Sequence, residues 1–184
     1  MTSSLSKIAS NTVILKSLQM TTVASLGILS GVALSLYVWV IPVILRARDT
    51  RTKITQFNLV IEKGFQYLQP SSRALGASLA TLAVLFYCHP NSAIASRWRY
   101  YALAMAILVP TAPYEEYAIF PTNYRVTDMG KELDTMRSPD CGDKRDREVD
   151  ELLKKWRRRH VGRIMAPVAA LLVSIWSVVA EQRL

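Results

Sequence analysis

The chain has 184 residues, of which 51% are apolar, and its 23 Lys+Arg against 14 Asp+Glu leave a formal charge of +9. Its mean hydropathy of +0.16 exceeds what a soluble domain of this size needs, and the charges are segregated. Residues 17–45, 74–96 and 164–180 carry none, whereas residues 124–163 hold 12 of the basic and 9 of the acidic side chains. That distribution argues against a compact water-soluble enzyme, a nucleic-acid-binding domain and a disulfide-rich secreted module. A helix rises ~1.5 Å per residue, so about 20 uncharged residues cross a hydrocarbon core of ~30 Å. The expected fold is all-α: a polytopic membrane protein with a four-transmembrane-helix bundle, a short interfacial helix and an amphipathic cytosolic helix.

Residues 1–20 read as an N-terminal segment without the h-region and small-residue cleavage site of a removable signal peptide. The membrane domain then covers residues 21–180. Its first span, about 21–45, carries Gly27, Gly31 and Ser35, a small-residue stripe that allows close helix approach, and Pro42 near its end. In residues 46–72, Phe57, Val60, Ile61, Gly64, Phe65 and Leu68 recur at helical spacing, predicting a short interfacial helix that Pro70 ends. The second span is about 72–88, followed by the turn signal His89-Pro90-Asn91-Ser92 and the basic and aromatic anchor Arg97-Trp98-Arg99-Tyr100.

The third span, about 98–120, is interrupted by Pro110-Thr111-Ala112-Pro113, with Glu115 and Glu116 just beyond. Two prolines three apart free carbonyls near Ala106 and Val109, which a membrane tolerates only where protein, a hydroxyl or water replaces the lost donor. Residues 121–161 read as a charged loop with a breaker at Ser138-Pro139-Asp140-Cys141-Gly142. Within it, Val149, Leu152, Leu153 and Trp156 share one face of a helix over 143–160. The fourth span is about 162–180. The loops 46–72 and 121–161 hold the Lys and Arg, which places them in the cytosol and both termini on the other side. Cys88 and Cys141 then lie on opposite sides and form no disulfide.

Glu115 and Glu116 are the strongest chemical signal, because a carboxylate near hydrocarbon costs about 2.5–3.5 kcal/mol and needs a reason. One reading is an interfacial ion pair with Arg46, Arg73 or Arg163; the other is a general base beside the proline break. His89 falls at the opposite membrane face from the glutamates, and His160, in a run of arginines, reads as a surface residue. Two histidines and two cysteines so divided provide no metal or haem site.

The Trp98-Arg99 entry, the Pro110-Thr111-Ala112-Pro113 break and the exit Ile119-Phe120-Pro121-Thr122-Asn123 resemble the anthrone oxygenase family of small fungal membrane proteins. The Gly- and Ser-rich first span ending in Pro42, the polar loop closing with Pro70 and the count of four spans agree, and the resemblance covers about residues 25–180. The Glu115-Glu116 pair and the charged loop stand outside that pattern. The resemblance implies a cofactor-independent monooxygenase, with no metal or flavin, that uses molecular oxygen to turn a polyketide anthrone into a quinone in secondary metabolism. Such a protein supplies a base, oxyanion donors and an apolar pocket. Glu115 or Glu116 would be the base, Asn123 and Thr111 donors, Arg99 or Arg46 the charge partner, and Thr122 part of the substrate-binding exit. The expected partners are membrane lipid, the aromatic polyketide substrate, and a second copy of the chain or a biosynthetic enzyme, with no nucleic acid. The expected location is the endoplasmic reticulum or another endomembrane. The alternative is a non-catalytic scaffold that tethers a biosynthetic enzyme through the 143–160 helix.

Overall fold

The structure is a computed structural model that describes residues 7–135 and 143–181. The 138–142 breaker and Cys141 lie outside the described residues. All regular elements among the described residues are helical: α1 (Thr12–Ser35), α2 (Ile41–Leu45), α3 (Thr50–Lys63), α4 (Gln69–Tyr87), α5 (Ser92–Ala95), α6 (Trp98–Leu108), α7 (Thr111–Tyr114), α8 (Phe120–Thr135) and α9 (Asp143–Glu181). Three π-turns, Leu36–Val40, Gly64–Leu68 and Glu115–Ile119, join α1 to α2, α3 to α4 and α7 to α8. Two helical runs, Thr12–Leu45 and Asp143–Ala180, are long and apolar enough to cross a membrane.

The chain divides into two compact units. The first comprises Met1–Gly31, Ser71–Thr111 and Met165–Leu184. Leu26, Leu79, Leu82, Phe86, Tyr101, Ala104 and Ala170 form its core, with Phe86 stacked on Tyr101 at 5.0 Å. Several buried polar groups find partners inside the unit, as an apolar surrounding demands. The Gln19 amide donates to the Tyr101 hydroxyl at 2.5 Å, and the hydroxyls of Thr22, Ser30 and Ser174 donate to carbonyls four residues back. Ile28, Val84, Leu103 and Leu172 stand outward and exposed, the arrangement suited to lipid.

The second unit comprises Val32–Pro70 and Ala112–Ile164. Its core gathers Ile41, Ile44, Ile54, Phe57, Ile119, Val126, Met129, Val149, Leu153 and Trp156. Val149, Leu153 and Trp156, read from the sequence as one face, are all buried there. Lys53, 3% exposed, donates to Asp146 at 2.9 Å and Asp150 at 2.8 Å. Burying the ammonium is tolerated because both acceptors come with it.

Several expected boundaries are corrected. The first helix begins earlier than the expected span: Asn11 accepts from Val13 and Ile14 as an N-cap, and α1 starts at Thr12. Pro70 does not end the interfacial helix, since α3, a π-turn and α4 run on without interruption. The 98–120 span is no single helix; α6 has 11 residues, about 16 Å, and stops before Pro110. The 121–161 stretch is not a loop throughout, because α8 and the first half of α9 are helical. The 162–180 span continues the amphipathic helix as one 39-residue element. A Cβ built on Gly27 or Gly31 would meet nothing within 4 Å, so no helix among the described residues packs closely on those two glycines. Arg97, expected as an interfacial anchor, is buried and donates to the Ala180 carbonyl, one of the groups a helix end leaves without a partner.

The three π-turns share one cause. Each ends two residues before a proline, Pro42, Pro70 or Pro121. A proline inside a helix lacks its N–H and its ring clashes with the carbonyl four residues back. Here the residue before each proline donates five residues back, Ile41 to Leu36, Gln69 to Gly64 and Phe120 to Glu115, which widens the turn and relieves the clash. One carbonyl per turn is then left without a helical donor. In the first turn that carbonyl belongs to Tyr37, and the Arg157 Nε donates to it at 2.9 Å.

Candidate functional site

The three π-turns border one open, shallow cleft in the second unit, whose empty volume of about 370 Å³ includes open solvent. The first turn contributes Leu36, the second Gly64, Phe65 and Leu68, and the third Glu115. Val60, Ile61, Phe120 and Trp156 extend the apolar wall, and Gln69, Asn123 and Arg163 supply the other polar groups. Phe65 and Phe120 pack at 5.3 Å between ring centroids. π-turns concentrate at functional positions because the extra residue re-aims side chains that an α-helix would place elsewhere.

Of the residues singled out from the sequence, Glu115 and Asn123 meet in this cleft. Glu115 Oε1 pairs with Arg163 Nε at 2.7 Å, the side chains being 17% and 18% exposed. Asn123 is buried, and its Oδ1 accepts from the Trp156 Nε1–H at 2.8 Å. With that oxygen held to the indole, the end of Asn123 without such a partner is its NH₂, with two N–H donors. Glu116 lies on the same turn but is exposed and does not line the cleft. Thr122 is buried beside Asn123 without lining it. Thr111 belongs to the other unit, where its hydroxyl donates to the Leu108 carbonyl. Arg46 and Arg99 are exposed; the guanidinium at Glu115 is that of Arg163 instead.

Sequence reasoning missed Trp156 and His160 as parts of the site. Trp156 was legible only as a core position on an amphipathic face. His160, expected at the surface, is 1% exposed, stacks on Trp156 at 4.4 Å and places Nε2 3.2 Å from the Ala33 carbonyl. The neighbouring arginines are themselves turned to backbone, Arg157 to Tyr37 and Arg159 to Ala118, so this basic run is docked against protein. Among the described residues no three His, Cys, Asp or Glu side chains gather as metal ligands.

The sequence profile of the anthrone oxygenase family matches residues 57–173. The chain belongs to that family. Every cleft residue except Leu36 falls inside the matched stretch, so the anthrone oxygenase match and the cleft are drawn from the same part of the chain. Searches of curated proteins and of solved structures gave no match.

Proposed function

We propose that this member of the anthrone oxygenase family is a membrane-bound oxygenase that converts an anthrone-type polyketide aromatic to its quinone with molecular oxygen and without a resident cofactor. The observation that carries the reading is the cleft itself. A partly buried carboxylate paired to a guanidinium faces the same apolar, aromatic-walled space as an amide whose oxygen is held by the Trp156 indole. Glu115 takes one proton from the ring methylene, and the electron pair spreads onto the ring carbonyl oxygen, where Asn123 and Arg163 donate to the growing negative charge. The carbanion passes its electrons to oxygen, a C–O bond forms, and the peroxide oxygen takes the proton back from Glu115 to give a hydroperoxide and restore the base. Loss of the second methylene proton breaks the O–O bond and leaves the ketone and water, so one oxygen atom enters the product and the other leaves as water. Glu116, Thr111, Thr122, Arg46 and Arg99 have no step in this scheme.

The membrane arrangement proposed with it has four spans, the runs Thr12–Leu45 and 162–180 together with 72–88 and 98–120, in an endomembrane. Residues 46–72 and 121–161 face the cytosol by their Lys and Arg content. The scaffold reading is less well supported. The face of the 143–160 helix that would dock a partner is buried within this chain through Val149, Leu153 and Trp156.

The deciding experiment is oxygen uptake and quinone formation from an anthrone by detergent-purified protein, normalised to folded protein. Glu115→Gln should lose about 10²–10⁴-fold in turnover, as removal of a general base does, and Asn123→Ala about 10²–10³-fold. Glu116→Gln should stay near the parent. Isotopically labelled oxygen should put one label in the quinone, and chelators should leave the rate unchanged. Parent-like turnover in both Glu115→Gln and Asn123→Ala would sink the assignment.

A further inference from the structure

We infer that Trp156 is a positioning residue that fixes which end of the Asn123 amide faces the cleft, and so makes the site select a ligand oxygen that accepts hydrogen bonds. This rests on the proposed role of Asn123 as an oxyanion donor and adds the part of the molecule that enforces it.

An asparagine amide presents an acceptor on one side and two donors on the other, and the two ends have nearly the same shape. Left to itself in a cleft it offers either. Here the indole N–H, a donor only, ties Oδ1 at 2.8 Å in a buried contact; the oxygen keeps a second lone pair but is held to the indole, so the end left to meet a ligand is the NH₂ with its two N–H groups. The indole cannot turn away. His160 covers one face at 4.4 Å, nearly parallel, and Phe57 stands edge-on at 5.5 Å. His160 is in turn fixed by its contact with the Ala33 carbonyl at 3.2 Å; a carbonyl only accepts, so Nε2 carries the proton. Trp156, His160 and Arg163 sit at i, i+4 and i+7 on α9, one stripe of a helix. The same stripe therefore holds the amide through Trp156 and the carboxylate through Arg163.

The test is a four-protein cycle of parent, Trp156→Phe, Asn123→Ala and the double variant, with kcat and KM measured on an anthrone per folded molecule. Phe keeps a ring for His160 and Phe57 and removes the N–H. Trp156→Phe should lower kcat at least tenfold with KM within about threefold, and in the Asn123→Ala background it should change kcat less than twofold. An equal loss in both backgrounds makes Trp156 a packing residue only and overturns the inference while leaving Asn123 as donor. Parent-like kcat in Trp156→Phe overturns it as well. Parent-like kcat in Asn123→Ala overturns instead the donor role on which it rests. Should Phe lower the folded yield, the benzothiophene isostere of tryptophan at position 156, equal in shape and without the N–H, must reproduce the kcat loss or the inference fails.

Discussion

Glu115 and Glu116 are neighbours in the chain and opposites in environment, because successive helical side chains are turned by about 100°. Only Glu115 reaches the cleft and Arg163. Arg163→Gln should therefore cost more stability than Arg46→Gln, since it leaves a partly buried carboxylate without its partner while Arg46 is exposed. Thermal melts of the two variants in one detergent check this. A second expectation concerns Gly162, where an added Cβ would come within 2.8 Å of the Tyr114 ring. That ring is held by its hydroxyl donating to the Arg159 carbonyl. Gly162→Ala should be destabilising by about 1–3 kcal/mol through overpacking. In a Tyr114→Ala background the same change should become stabilising by up to about 1 kcal/mol, because Ala is the better helix former. An unchanged sign between the two backgrounds would show that the contact does not govern the site.

At the scale of elements, the prolines decide more than the apolar pattern does. Pro42 withholds a donor from the Tyr37 carbonyl, and Arg157 supplies one while its guanidinium lies 4.4 Å over the Tyr37 ring. Arg157→Leu should cost about 1–3 kcal/mol, the penalty for stranding a buried polar group. Pro42→Ala restores an N–H five residues on, so Arg157→Leu should cost less in that background; equal losses would mean that the π-turn is not what creates the need. The α3–α9 contact has its own signature. Burial opposes the Lys53 charge, yet hydrogen bonds to Asp150 and Asp146 outweigh it and hold its pKa above 10.5. The Lys53 hydrogen bond, against burial and with help from Thr50, holds the Asp146 carboxyl below 3.8. A depressed carboxyl stabilises the fold above its unfolded pKa and stops doing so as pH falls through the folded value; a raised ammonium stabilises below its unfolded pKa and stops as pH rises past the folded value. Melting temperature should thus lose the Asp146 contribution only below about pH 4 and the Lys53 contribution only above about pH 10. Asp146→Asn should flatten the acid limb, and an unaltered acid limb would remove this pair from the account.

At the scale of the whole molecule, the uncharged stretches were read directly from the sequence, and the two helical runs long enough to span a membrane coincide with two of them. The proposed topology makes a direct prediction. Single cysteines at exposed Arg48, Asn91 and Glu151, in a background without Cys88 and Cys141, should react with an impermeant thiol reagent from one side, the other and the first again. Labelling of positions 48 and 91 from the same side would end the four-span arrangement. Helical class, the proline break after α6, the buried face of α9 and the family were all determined by the sequence, because each rests on local spacing. The sequence also nominated Glu115 and Asn123, but not their meeting. Local pattern treats Pro42, Pro70 and Pro121 as stops, whereas in the fold each is absorbed by a wide turn, and the freed Tyr37 carbonyl, the Phe65 ring and the Glu115 carboxylate find Arg157, Phe120 and Arg163, all more than forty residues away. Trp156 and His160 joined the site for the same reason, and of the three arginines the sequence offered the glutamates only the fold selected Arg163. Their roles depend on which backbone and side chains α9 packs against, a property of tertiary contact that no residue carries in its own neighbourhood of the chain.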